Sequence, residues 1–284
     1  MARLINSTDI GSAWDVLLID LLTNGKEVSP REFKTLELEN VSICIENGLN
    51  NILVNPIRDL NYRFMIAEWL WIWAGLNDVV SIAKYNKHIA NFSDDGVIFN
   101  GAYGPRLKPQ WSYIFESLRK PFSRQAVATI FTPCPKDSKD IPCSLTVQWL
   151  VRGNYLNCTV TMRSSDVWLG LPYDFFNFSQ LTNIVAYETH KKVGAVIFNL
   201  GSSHLYESNL ETAKKCLENK SSTVKSPLLK YLPSDDSIKL MLNGNVKAIN
   251  AFPWDMKEPW EQYEDALLYD KHHALEVLRD ISTK

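Results

Sequence analysis

Hydrophobic positions along the chain fall into runs of two different periods. Over residues 11–22, Trp14, Leu17, Leu18, Leu21 and Leu22 recur at helical spacing and Asn24-Gly25 supplies a stop, which predicts an amphipathic opening helix. Over residues 33–45, Leu36, Leu38, Val41, Ile43 and Cys44 partly alternate with polar residues before Asn47-Gly48, which predicts one or two strands. Residues 60–76 are dense in Trp, Leu, Ile, Met and Ala, with no Gly or Pro before Gly75. That run reads as a helix buried on most sides, with Glu68 as its only interior carboxylate.

Further along, the runs at 126–131, 144–151, 156–162 and 193–200 are β-branched and apolar with turn residues between them, as strands of one large sheet require. A helix is expected near 176–189, between the last two, and further helices over 205–218 and 260–281. Strands and helices mix without a long Gly/Ser/Pro linker, an internal repeat or a low-complexity tract. The expectation is a single domain over 1–284, of α+β class, with a large mixed sheet flanked by helices.

Composition narrows the function classes. The 284 residues are 45% hydrophobic, enough for a sizeable core. Thirty basic residues against 32 acidic ones leave a net charge of −2, so no overall field draws the chain to nucleic acid or membrane. The tryptophans sit in predicted helices without basic interleaving, which argues against a nucleic-acid interface. Apolar stretches such as 69–76 fall far short of the roughly 20 residues that span a bilayer. The N-terminus lacks a basic-then-apolar signal pattern, so a cytoplasmic location is expected. Five cysteines (Cys44, Cys134, Cys143, Cys158 and Cys216) are odd in number and scattered without CxxC pairs, which disfavours a disulfide framework and a zinc site alike. No metal is expected, and one cysteine is left as a candidate nucleophile.

Pro142-Cys143, then Gln148, then Arg163-Ser164-Ser165-Asp166-Val167-Trp168-Leu169-Gly170-Leu171-Pro172-Tyr173-Asp174, then Gly201-Ser202-Ser203-His204-Leu205-Tyr206 form a series. In order and spacing it resembles the thymidylate synthase family. Upstream, Glu68-Trp69-Leu70-Trp71 with Gly75 and Asn77, then Tyr103-Gly104 and Ser123-Arg124, are similar to further blocks of that family. The resemblance covers roughly residues 31–206. It departs at Asp174, where the family has Asn, at Ser144 in place of His, at Gln125 in place of a second Arg, and at the polar end Ile281-Ser282-Thr283-Lys284 in place of an apolar tail. The Asp, the polar residue after the cysteine and the MRSxDV form are similar to the deoxycytidylate hydroxymethylase branch.

What the resemblance implies agrees with what the residue types can do. Carbon 5 of a pyrimidine is a poor nucleophile until a group adds at carbon 6, and a thiolate is suited to that addition. Cys143 is the implied nucleophile, with Arg163 expected to lower its pKa from about 8.5. Arg31, Arg124, Arg163 and Ser164 are implied as the phosphate cradle, Arg124 reaching across a homodimer so that the active sites are shared. A nucleotide phosphate calls for such planar, bidentate donors. His204 and Tyr206 alternate on a strand-like segment and so share one side of it; in the family such a pair holds the sugar hydroxyl. Glu68 amid tryptophans is an expensive burial unless protonated, paired or water-linked, which suits the proton shuttle that the family makes of it and, here, activation of the water that quenches the intermediate. Tyr103 is implied in proton removal from carbon 5, and Asp166 and Trp71 in contact with the co-substrate, 5,10-methylenetetrahydrofolate.

Asp174 is implied as the base-reading residue. Uracil presents an acceptor at oxygen 4 and a donor at ring nitrogen 3, which a carboxamide answers; cytosine presents the reverse. A protonated carboxyl fits cytosine, as does a carboxylate once the ring nitrogen is protonated. An ionised Asp facing uracil oxygen 4 would set acceptor against acceptor, at about 1–3 kcal/mol. Capping of the following helix is the alternative use of an Asp there. The expectation is therefore hydroxymethylation of carbon 5 of dCMP, with water quenching the methylene intermediate. A dUMP methyltransferase or hydroxymethylase, a CMP hydroxymethylase and a noncatalytic nucleotide-binding homologue are the alternatives.

Overall fold

The β-branched runs pair into one sheet. The computed structural model describes residues 2–133, 137–244 and 260–283, and for Arg31 the backbone alone. The chain begins β1 (Arg3–Ser7), α1 (Ile10–Asn24), β2 (Lys26–Val28), β3 (Thr35–Ile45), β4 (Ile52–Val54), α2 (Tyr62–Trp73) and α3 (Val79–Ala83). It continues α4 (Gly104–Leu107), α5 (Trp111–Arg119), β5 (Val127–Thr129), β6 (Ser144–Arg152), β7 (Tyr155–Met162), β8 (Ser165–Asp166), α6 (Leu171–Glu188) and β9 (Lys192–Tyr206). Last come α7 (Leu210–Glu218), β10 (Ser222–Val224), α8 (Asp235–Leu242), α9 (Trp260–Leu268) and α10 (Lys271–Ser282).

Among the described residues the main sheet has eight strands in the order β1-β3-β9-β7-β6-β5, with β2 added to β3 and β8 to β9. β9 runs antiparallel to β3, from Thr35↔Tyr206 to Ile45↔Val196, and parallel to β7. Parallel neighbours need a crossover, and α6 supplies it. The sheet is therefore mixed, and the fold is α+β as expected. β4 and β10 form a separate antiparallel pair.

One face of the sheet carries the core. Val41, Ile43, Trp149, Val160, Phe198 and Leu200 are buried there, and Phe175 of α6 lies with its ring centroid 4.0 Å from that of Phe198. α1 presents Trp14, Leu17, Leu18 and Leu21 inward from an N-terminus capped by Asp9, whose carboxylate accepts from Ser12 N. α2 is the buried helix that its composition predicts: of its 12 residues, nine are buried. It is capped by Asn61, whose side chain accepts from Phe64 N at 3.0 Å, and packs against α6, α8, α9 and α10. Trp260 of α9 stacks on Trp69 at 5.5 Å, and Arg63 Nε donates to Leu267 O at 2.7 Å.

Several expected boundaries move. The 33–45 run is one strand, starting at Thr35. The run at 126–131 shrinks to three paired residues, while the 193–200 strand extends through Gly201-Ser202-Ser203 to Tyr206 because β3 offers it a partner along that length. The helix expected over 205–218 therefore starts only at Leu210, and the 260–281 helix is two, broken at the Asp270 cap. No helix among the described residues is long and apolar enough to cross a membrane.

Candidate active site

Two glycines bring the first pieces together. Gly75 ends α2 with φ +74°, a left-handed conformation that other residues adopt only at a cost. Gly104 abuts it: a Cβ on Gly104 would lie 2.7 Å from Ile72 O and 3.0 Å from Gly75 Cα. This contact holds Tyr103 against the inner face of α2, which bears Glu68 and Trp71. Leu171-Pro172 opens α6, and its first turns present Asp174 and Asn177 to the same space.

The result is a cavity of about 170 Å³. Its polar lining is Glu68, Tyr103, Asp140, Asp174 and Asn177, and its apolar wall includes Ile82, Ile89, Phe92 and Phe99. Trp71 sets its ring edge-on to Phe99 at 5.8 Å, and its Nε1 has no hydrogen-bond partner among the described residues. The apolar, aromatic part of this wall suits the face of a heterocyclic ring. Among the described residues no three His, Cys, Asp or Glu side chains converge as metal ligands would.

Carboxyl groups in this space are held toward their neutral forms. Glu68 Oε2 accepts from Asn177 Nδ2 at 2.8 Å; burial nevertheless pushes its pKa up to about 7, the hydrogen bond opposing only in part. Asp174 is pushed well above the ordinary carboxylate range, first by burial and then by the nearby charges of Glu68 and Asp166. The N-terminus of α6 favours a negative charge there, but burial and the like charges outweigh it. Gly170 occupies the cap position of α6, so Asp174 is not its capping residue.

Cys143 immediately precedes β6, near enough to Tyr103, Asp140 and Asp174 of the cavity wall for their charges to interact. Arg163 clamps its loop from both sides of the chain: Nε donates to Pro142 O and Nη2 to Ile141 O, each at 2.9 Å, and its backbone N donates to Cys143 O at 2.9 Å. The guanidinium does pull the thiol pKa down, as expected. Burial is the larger effect, joined by Asp174, Asp140 and Asp166, so the thiol pKa is raised. That corrects the expectation of a thiol already lowered by arginine. Tyr103 is likewise held as a neutral phenol by burial, with Asp174 and Cys143 adding to the effect.

A second cluster lies at the end of β9. His204 and Tyr206 share one side of the strand, their rings 5.4 Å apart and edge-to-face. β8 sets Asp166 opposite His204 in the sheet, and Asp166 Oδ1 accepts from Trp168 N and Leu169 N at 2.8 and 2.9 Å. Burial lowers the imidazole pKa while Asp166 raises it, and the lowering prevails. Ser164, half-buried, joins the β7 end to β8. Asp166 does not line the cavity that Trp71 lines.

Arg124 stands apart. Its side chain is exposed, and its carbonyl accepts from Gln148 Nε2 at 3.0 Å. It is not among the residues lining the cavity of its own chain. The side chain of Arg31, and Cys134 and Lys284, lie outside the described residues. Cys158 and Cys216 are buried and Cys44 is half-buried.

Two polar lining side chains, Asn177 and Asp140, are absent from the sequence-based set. Asn177 stands three residues after Asp174, on the same helix face, and that spacing is the signal that could have found it. Asp140 lies in a loop with no periodicity and left no such signal.

Comparison with known proteins gives a consistent picture. The sequence model of the thymidylate synthase family matches residues 13–255. A deoxyuridylate hydroxymethyltransferase of Bacillus phage SP01 is 31% identical over 211 residues, 67% of this chain and 55% of that protein. The chain thus spans about half the length of the phage relative. A thymidylate synthase of Bacillus mojavensis is 31% identical over 240 residues, covering 74% of this chain and 84% of that enzyme. One from Bacillus phage phi3T is 27% identical over the same lengths.

Proposed function

The chain belongs to the thymidylate synthase family, and on that premise we propose that it hydroxymethylates carbon 5 of a cytidylate, dCMP in preference, with water as the terminal nucleophile. The family's co-substrate, methylenetetrahydrofolate, supplies the one-carbon unit. Trp71 and the apolar wall beside it would hold the heterocycle, with Asp166 reaching it from the second cluster.

The observation that carries the cytidylate reading is the position of Asp174 in the cavity wall, where burial pushes its carboxyl pKa well up and so favours the neutral form. As Cys143 adds at carbon 6, the ring nitrogen of cytosine becomes part of an amidine and gains basicity. A neutral carboxyl beside it can then hand over its proton, leaving a carboxylate that accepts from both the new N–H and the exocyclic amine. Uracil offers only a carbonyl oxygen, a much weaker base, for that proton. Burial raises the thiol pKa of Cys143, so loss of the thiol proton would accompany its addition to carbon 6.

The remaining roles are those that the resemblance to the family implies. Arg163 and Ser164, with Arg31, would bind the phosphate, and Arg124 would be donated by the second subunit of a homodimer. His204 and Tyr206 would hold the sugar hydroxyl. Glu68, near half-ionised at neutral pH, suits a shuttle moving protons on the base, and Tyr103 would assist proton loss from carbon 5.

A second reading, deoxyuridylate as substrate, is favoured by the name of the phage SP01 relative; a neutral carboxyl can also be turned to meet uracil. One assay separates the two. Incubation with methylenetetrahydrofolate and each of dCMP, CMP and dUMP, with products identified by mass, is expected to give 5-hydroxymethyl-dCMP as the main product. Faster turnover of dUMP, or a methylated product, overturns the proposal. Asp174→Asn is expected to move the dUMP/dCMP ratio of kcat/KM upward by about tenfold to a hundredfold, the equivalent of one buried hydrogen-bond mismatch.

A further inference from the structure

Three carboxyl groups face the cavity, and the chemistry above employs two. Asp140 is the third. Its Oδ2 accepts from Gly101 N at 2.6 Å, and the carboxyl packs so closely on Gly101 that a Cβ there would meet Oδ1 at 2.6 Å. The side chain is thereby fixed in orientation against the lining segment 101–103. It lies three residues before Cys143, near enough for its charge to act on the thiol.

Two buried polar atoms of the same cavity lack partners among the described residues. Asn177, 2% exposed, gives its Nδ2 to Glu68 and leaves Oδ1 unpartnered; Trp71, 6% exposed, leaves Nε1 unpartnered. Unsatisfied buried groups of this kind are commonly met by bound water. One donor and one acceptor, in a space large enough for several waters at about 30 Å³ each, make a hydration site on the α2–α6 side. Asp140 faces the same space from its loop.

We propose that Asp140 is the general base for the terminal water, which is held in the cavity by Asn177 Oδ1 and Trp71 Nε1. The inference rests on the hydroxymethylase reading. In the step, the water oxygen bonds to the exocyclic methylene carbon while its proton passes to Asp140. The exocyclic C=C pair shifts into the ring toward carbon 4 and nitrogen 3. That pair then re-forms the 5,6 double bond and expels the Cys143 thiolate from carbon 6, to which the proton on Asp140 can return. The addition is redox-neutral and needs no further reactant.

Division of labour between the carboxyls follows. Glu68 has its hydrogen bond from Asn177 and its pKa near neutrality, so it serves protons on the base in either direction. Asp140 is raised too, by burial and by Asp94, but Gly101 N and Arg106 hold it back. The Gly101 N–H and the Arg106 charge both favour the carboxylate form that a base must present.

The test uses the full-length enzyme and Asp140→Asn, a replacement of the same shape that can still accept from Gly101 N. Exchange of the carbon 5 hydrogen with solvent, measured with nucleotide alone, reports Cys143 addition and should change by less than about threefold. Hydroxymethyl product formation with methylenetetrahydrofolate should fall by about a hundredfold, the usual contribution of a general base. With added 2-mercaptoethanol, the stranded methylene should appear as a thioether of the nucleotide, at the expense of hydroxymethyl product. Glu68→Gln should instead slow hydrogen exchange itself. An Asp140→Asn enzyme that keeps the wild-type ratio of hydroxymethyl product to thioether overturns the inference, as does one that loses exchange and product equally while folded by circular dichroism. A wild-type enzyme that forms no hydroxymethyl product at all refutes the parent reading instead.

Discussion

Glu68 combines an apolar setting with a single polar tether, and the balance makes it sensitive to pH. Its folded-state pKa of about 7 lies above the ordinary 4.5, so the contribution of its neutral form to stability is complete below about pH 4.5 and is lost as pH rises through about 7. Glu68→Gln keeps the neutral shape. The thermal midpoint of the variant relative to wild type should therefore climb between pH 4.5 and 8, while turnover falls by about a hundredfold or more. Parallel melting curves of the two proteins across that range, with no pH-dependent gap, would show that Glu68 ionises freely. At this scale motif membership brought some residues together and not others: Glu68, Tyr103 and Asp174 line one cavity with Cys143 near it, while Arg124 and Asp166 lie off that lining. The ionisation state of Cys143 was not legible, because it depends on how burial weighs against Arg163, and burial is a property of the assembled chain.

The helical pair α9–α10 lies beyond residue 255, where the family match ends, yet it packs on the back of the helix that carries Glu68. Trp260 is fully buried, stacks on Trp69 and donates from Nε1 to Tyr231 O at 2.7 Å. Trp260→Ala is expected to cost about 3–5 kcal/mol, lowering the midpoint of thermal unfolding by about 6–20 °C for a chain of this size. An unchanged midpoint in a melt followed by circular dichroism would mean that α9 is not part of the cooperative core. Elements with a sustained pattern, such as α2 and β7, were readable from the sequence to within a few residues. β1 was not: Arg3–Ser7 holds only two hydrophobic residues and becomes a strand because β3 lies beside it. The reach of β9 across Gly201-Ser202-Ser203 was hidden likewise, since local propensity opposes it and the pairing with Leu38 and Glu39 decides it.

For the whole molecule, the proposed homodimer is supported by the face of the sheet turned away from α1 and α6. Ser42, Cys44, Thr159, Thr161, Ile197 and Asn199 lie on it, half-buried or exposed. Exposed Arg124, absent from its own cavity lining, would complete the site of the partner. Mixing inactive Cys143→Ala with Arg124→Ala subunits should then restore up to about a quarter of wild-type activity, since one hybrid site keeps both groups. If subunits exchange, as shown by differently tagged chains co-purifying, and no activity returns, the sites are not shared.

The central position of β9 in the sheet also sets a timetable for the nascent chain. β3 can meet β1 and β2 soon after it leaves the ribosome, but Val41, Ile43 and Ile45 have no partner on the other side until β9 emerges, Ile45 waiting for Val196. At synthesis rates of about 5–20 residues per second the wait is roughly 8–30 s. Throughout it, β3 presents an open, apolar edge that a neighbouring chain could occupy. Yield of native protein should therefore respond to translation speed and to chaperones that shield such edges, independently of how stable the finished fold is.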